Sequence, residues 1–175
     1  MVAHAQPRRS TAAPAPVGEP QAHAAAARVL RHFRLVFNAV KTHFRAVEKQ
    51  TGVSGSLVWA LSMIEQHPGI GISDLARRMD IHQSTTSNLV KRLIARGLAE
   101  GVRDGPDRRA VQLRLCDAGR EVLAKAPQPF AGVLNQALNA LDEDTLQRLE
   151  RDMGTLIQTL GPASQADDRT PIVPT

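Results

Sequence analysis

The sequence predicts a mainly helical protein carrying one small β-hairpin, and three observations support that prediction. Long amphipathic patterns with three- and four-residue spacing stand near both ends of the chain. Between them, two short helical patterns flank a tight turn, the arrangement of a helix-turn-helix. Two alternating segments joined by a Gly, Pro and Asp turn follow at once and read as a hairpin wing. The expected architecture is a winged helix-turn-helix unit at about residues 54–116, framed by helices at about 22–50 and 117–161 that pair two subunits.

Residues 1–21 hold four prolines among alanines and polar residues and show no helical or strand period, so they read as a disordered arm. Residues 162–175 have the same character and read as a disordered tail. The folded domain is therefore expected at 22–161. Its first helix is marked by Leu30, Phe33, Phe37, Val40, Phe44 and Val47, with Gly52 as the stop. Three of the chain's four phenylalanines lie on this stripe, more apolar surface than a small helical domain buries alone, which points to a partner subunit.

The second helix is expected at 54–66, with Ser54 at its start and His67-Pro68-Gly69 as its stop. Ser73-Asp74 opens a short third helix, and QSTTSNLVKRLIA forms a fourth, ended by Gly97. The segments LAEGVRD and RRAVQLRLC then alternate as strands around the turn DGPD. A helical pattern from 117 to 141 is interrupted by Pro127 and Pro129, which predict a break there. The last helix has Asp142 as its cap, Leu141 and Leu146 as a hydrophobic staple, and a stripe of Leu146, Leu149, Met153, Leu156 and Leu160.

Charge separates the function classes. Between positions 77 and 114 stand nine basic and four acidic residues, an excess equal to the +5 of the whole chain. A positive field concentrated in one block fits a polyanion-binding face better than a merely solvated surface. No apolar run reaches the ~18 residues of a membrane span and no secretory signal is visible, so a cytoplasmic protein without membrane contact is expected. The single cysteine, Cys116, excludes an internal disulfide and reads as a small packing residue. The six histidines show no paired ligand spacing, so neither metal nor cofactor is expected. No phosphate loop, nucleophile elbow or other catalytic motif appears, which argues against an enzyme.

On the fourth helix, Thr86, Leu89 and Leu93 face inward, leaving Ser84, Thr85, Ser87, Asn88, Lys91 and Arg92 on the outer face. Small hydrogen-bonding groups near the start, with cations behind them, suit base edges and phosphates of a major groove. The wing gathers Arg103, Arg108 and Arg109 around Asp104 and Asp107, a cationic finger for an adjacent minor groove.

The stretch LVKRLIARGLAEGVRDGPDRRAVQLRLCDAGREVL resembles the reading helix, wing and following helix of the MarR family, and its Asp107-Arg108-Arg109 matches the family's Asp-x-Arg wing motif. The resemblance covers about residues 54–123, and the flanking helices agree with the family's dimerisation elements. It implies a homodimeric regulator of transcription, commonly a repressor, bound to a pseudo-palindromic double-stranded operator. It places the minor-groove contact on Arg109 and its orientation on Asp107. It further implies release by a small effector, often a phenolic or aromatic anion, between the dimer helices and the DNA-binding lobe. His43, Phe44, Trp59 and Met63 are the residues expected to line that pocket, with core packing as the competing role for each. One departure is Leu115-Cys116-Asp117-Ala118-Gly119, where the family has Leu-Thr-x-x-Gly; Asp117 is expected either to take over the capping or to leave a looser helix start. The open alternatives are an architectural or partner-binding winged helix, and an activator without a ligand.

Overall fold

A computed structural model describes residues 19–103 and 111–161. Its helices are α1 (Glu19–Thr51), α2 (Gly55–Gln66), α3 (Ile72–Met79), α4 (Gln83–Ala95), α5 (Asp117–Lys125), α6 (Val133–Asn139) and α7 (Glu143–Leu160). Strands β1 (Ala99–Val102) and β2 (Gln112–Leu115) form an antiparallel hairpin between α4 and α5. The mainly helical fold with one small hairpin is thus as expected. The chain divides into two compact units, with the boundary inside α1 between Val36 and Phe37. In the first unit the described residues are the opening turns of α1, with Val29 and Leu30 exposed. The second unit holds the core and all the other elements.

That core is built where α2, α3 and α4 turn their apolar stripes inward. Leu57, Leu61 and Ile64 from α2, Leu75 and Met79 from α3, and Leu89, Val90 and Leu93 from α4 pack with Val47 of α1 and Leu123 of α5. The hairpin adds Leu113 and Leu115, which alternate with exposed Arg114. Burying these side chains is worth roughly 1.5–3 kcal/mol each, the main force holding the three helices and the wing base together. The buried hydroxyls are matched: Ser62 Oγ donates to the Trp59 carbonyl (2.7 Å) and Thr86 Oγ1 to the His82 carbonyl (3.1 Å).

Several boundaries move from their expected places for identifiable reasons. Helix α1 runs to Thr51, whose Oγ1 donates to the Val47 carbonyl, and Gly52 ends it at φ 69°. Ser54 sits at the N-cap of α2, but its Oγ meets Ser56 Oγ instead of a backbone N–H. Helix α3 begins at Ile72 rather than at Ser73-Asp74, because the Gly71 carbonyl already accepts from the Leu75 N–H at 2.9 Å. Asp117 does not cap α5. It is the first helical residue and pairs with Arg120, while the Cys116 carbonyl takes the Gly119 and Arg120 N–H groups. Pro127 and Pro129 fall between α5 and α6, as expected, and Asp142 caps α7 by accepting from the Thr145 N–H (2.8 Å) and hydroxyl (2.8 Å). That pair of bonds holds the Asp142 carboxyl below the usual carboxylate range, the Thr145 N–H contributing most.

Candidate nucleic-acid interface

The α3–α4 pair fixes the reading helix. Asp80 ends α3 in a left-handed conformation (φ 51°), and its N–H donates to the Arg77 carbonyl. Ile81 then buries as the pivot of the turn, and α4 starts at Gln83 after His82. Helix α4 buries Thr86, Leu89, Val90 and Leu93 along one side. Ser84, Asn88 and Lys91, spaced by four and three residues, are exposed on the other. Thr85, Ser87 and Arg92 flank that row, half-buried. Ser87 Oγ donates to the Gln83 carbonyl (2.8 Å), which leaves its lone pairs, not its proton, to face outward. The six residues expected on the outer face of this helix therefore lie off its buried stripe.

The wing base lies against this helix. Ala99 pairs with Leu115, Glu100 with Arg114, Gly101 with Leu113 and Val102 with Gln112. The two strands run antiparallel, and Glu100 faces Arg114 as opposite charges on the exposed side. A third segment joins from outside the hairpin. The Gly69 N–H donates to the Leu113 carbonyl and the Leu113 N–H to the Ile70 carbonyl, both at 3.0 Å. These two bonds cover the outer edge of β2, which would otherwise be an open edge. Arg103 is exposed just past β1. The remaining wing residues, Asp104, Asp107, Arg108 and Arg109, lie outside the described residues, as do residues 1–18 and 162–175.

Helix α5 leaves the wing at close range. The Cys116 N–H donates to the Leu98 carbonyl (3.1 Å), and Gly119 lies so close to that carbonyl that a Cβ there would overlap its oxygen. The Gly of the Leu-x-x-x-Gly stretch is thus a matter of backbone approach between α5 and the start of β1.

The four residues expected to line an effector pocket are placed as follows. His43 Nε2 donates to the Pro129 carbonyl (3.0 Å) and its ring meets Phe44 edge-on at 5.2 Å. The Phe44 ring fills a notch between Gly55 and Gly132: a Cβ on Gly132 would stand 2.9 Å from Phe44 Cζ, and one on Gly55 would overlap the ring. Trp59 and Met63 are half-buried on α2 and pack on the core. Among the described residues no group of His, Cys, Asp and Glu is gathered to hold a metal, and no helix is long and apolar enough to cross a membrane.

Comparison with known proteins agrees with this geometry. Residues 45–110 match the sequence model of the MarR family. A Thauera aromatica protein described as a transcriptional regulatory protein for the hcr operon is 30% identical over 134 residues, which cover 76% of this chain and 76% of that protein. The transcriptional repressor MdtR of Bacillus subtilis is 31% identical over 83 residues, 45% of this chain and 53% of the repressor. Among solved structures, MepR of S. aureus in complex with DNA shares the fold at a TM-score of 0.52, with 17% identity over 73% of this chain and 93% of that one.

Proposed function

The chain belongs to the MarR family of winged-helix transcriptional regulators, a class of non-enzymatic DNA-binding proteins, and from that membership we propose that it reads a double-stranded operator as a homodimer and represses transcription. The observation that carries the reading is the surface of α4, where Ser84, Asn88 and Lys91 face outward opposite a fully buried apolar stripe. Asn88 suits a base edge, the hydroxyls of Ser84 and Thr85 suit bases or phosphates, the outward lone pairs of Ser87 suit a base-edge donor, and Lys91 and Arg92 suit the backbone. Arg103, Arg108 and Arg109 of the wing take the neighbouring minor groove, with Asp107 orienting Arg109.

Dimerisation follows from apolar surface that one subunit leaves in water. Leu30 and Phe37 of α1 are 50% and 59% exposed, and Leu149, Met153, Leu156 and Leu160 of α7 are exposed as well. Such stripes at the ends of a chain are covered by a second copy at little further cost. Two-fold symmetry then sets two reading helices about 34 Å apart, one turn of DNA, so the operator is a pseudo-palindrome. Release by a small aromatic anion near His43, Phe44, Trp59 and Met63 completes the reading.

Duplex binding measured against salt tests it. A pool of random duplexes selected on the purified protein should yield one pseudo-palindromic sequence, with log affinity falling by roughly 0.9 per phosphate contact for each decade of salt. Lys91→Ala should reduce that slope by about one. A protein that ignores duplex DNA at low salt is not an operator-binding regulator.

A further inference from the structure

Only three residues, Arg96, Gly97 and Leu98, separate the reading helix from the wing strand. Gly97 follows Arg96, the C-cap of α4, at φ 65°, and Leu98 leads directly into β1. The Gly97 N–H donates to the Ile94 carbonyl (2.9 Å) and the Leu98 N–H to the Leu93 carbonyl (3.0 Å), the paired bonds of a Schellman stop. Leu93 and Leu98 are both buried in the core beneath it, an apolar pair that often accompanies that motif. The direction in which β1 leaves α4 is therefore fixed by the backbone.

The pitch of the hairpin beyond that exit depends on side chains at its root. Ile94 is a large apolar residue, 45% exposed, on a helix whose buried stripe is already complete without it. Its side chain reaches the wing. A Cβ placed on Gly101 of β1 would lie 3.8 Å from Ile94 Cδ1 and 2.8 Å from Val111 Cγ1. One methyl from the reading helix and one from the returning limb of the hairpin thus converge over the bare Cα of Gly101. Only glycine leaves Val111 where it is, since real Cβ atoms do not approach so closely.

We propose that Ile94, Gly101 and Val111 are positioning residues, whose contact holds the wing at one pitch to α4 so that the major-groove and minor-groove contacts form together. The inference rests on the operator reading above. Arg108 and Arg109 come between the paired residues Val102 and Gln112 in sequence, so a hairpin free to rock at its root would no longer present them in register with α4. Truncating Ile94 removes no buried core atom, which separates its effect on recognition from an effect on folding.

The test uses a duplex selected by the wild-type protein, with two footprints and a melting curve on each variant. Ile94→Ala should keep the wild-type melting temperature, Gly101→Ala should lower it modestly because Val111 has to shift on the core, and both should keep the protection of guanine N7 in the major groove. They should lose hydroxyl-radical protection of the flanking minor grooves and about tenfold in affinity. Ile94→Leu should restore both. Should Gly101→Ala fail to fold, the Ile94 pair decides the matter alone. Equal loss of both footprints in Ile94→Ala, or no loss of either, overturns the proposal. If the wild type protects guanine N7 but no minor groove, the proposal falls and the operator reading stands; if it selects no duplex, both fall.

Discussion

Gly119→Ala is a substitution whose sign the structure decides. In an isolated helix the change is favourable by about 1 kcal/mol, because alanine has the higher helix propensity. Here the added Cβ would overlap the Leu98 carbonyl oxygen and stand 3.2 Å from the Leu98 carbonyl carbon and 3.3 Å from Leu115 Cγ. The obstacle is backbone, so no rotamer change relieves it. Helix α5 has to retreat by about 1.2–1.5 Å for carbon and oxygen to reach an ordinary separation of about 3.3–3.6 Å. That retreat stretches the 3.1 Å bond from Cys116 to Leu98 and loosens the buried contact of Leu98, Leu115 and Leu123. A compromised buried hydrogen bond costs about 1–3 kcal/mol, and repacking around an extra methyl costs a similar amount. Set against the propensity gain, the net loss is roughly 1–5 kcal/mol, a fall in melting temperature of about 3–20 °C for a domain of this size. Urea and thermal unfolding at one fixed protein concentration measure it, since a dimer's stability depends on concentration. An unchanged or raised melting temperature would mean that α5 does not press on Leu98, and would refute the reasoning.

Three further outcomes are expected. Asp80→Ala should be less stable than Asp80→Gly by about 1 kcal/mol in urea, because both lose the side chain but only alanine carries a Cβ at φ 51°; equal stability would deny the left-handed turn. The Asp142 carboxyl should titrate by NMR below the ordinary carboxylate range, since hydrogen bonds from Thr145 favour its charged form. Its contribution to α7 is therefore full above that range and is lost as pH falls through the lowered value, whereas Asp142→Asn should hold α7 without this pH dependence; an ordinary midpoint would remove the cap. Phe37→Asp should weaken subunit association by roughly 100-fold or more in sedimentation, as two copies of an exposed phenylalanine are lost from the interface; a native dimer would place the interface elsewhere.

What the sequence made legible was what depends on neighbours three or four residues away. The stripes of α1, α4 and α7, the Gly52 and Gly97 stops and the Asp142 cap are all local, and each is where the pattern puts it. The outer face of α4 was legible for the same reason, being the complement of the buried stripe. Features that depend on distant chain were not. Gly69 and Ile70 pair with Leu113, but two residues are too few to display alternation. The α3 start at Gly71 is a backbone cap that leaves no side-chain signature, and Ser73 was the more visible choice. Ile94 reads as one more apolar residue of α4 until the wing is placed beside it. The part of the candidate site at Asp107, Arg108 and Arg109 rests on the family motif and on charge.

The residues proposed to line an effector pocket pose the opposite problem, because apolar composition does not separate a wall from a filling. Phe44 occupies the notch between Gly55 and Gly132, and His43 ties the same turn of α1 to Pro129. Both glycines are where a side chain would collide with the ring, so the notch is shaped to hold Phe44 itself. A ring that fills such a space contributes to stability, whereas a ring that merely borders an empty pocket contributes much less. Phe44→Ala should accordingly cost about 2–3 kcal/mol, below the 3–5 kcal/mol of a fully buried phenylalanine because this one is half-buried. Urea unfolding measures it. A cost under about 1 kcal/mol would show that the ring borders open space, and would favour the pocket role. If the larger cost is found, an aromatic effector acting here has to displace the Phe44 ring from its notch. It would thereby loosen α1 from the α5–α6 segment that His43 and Phe44 hold, and binding and release of DNA would be linked through that exchange.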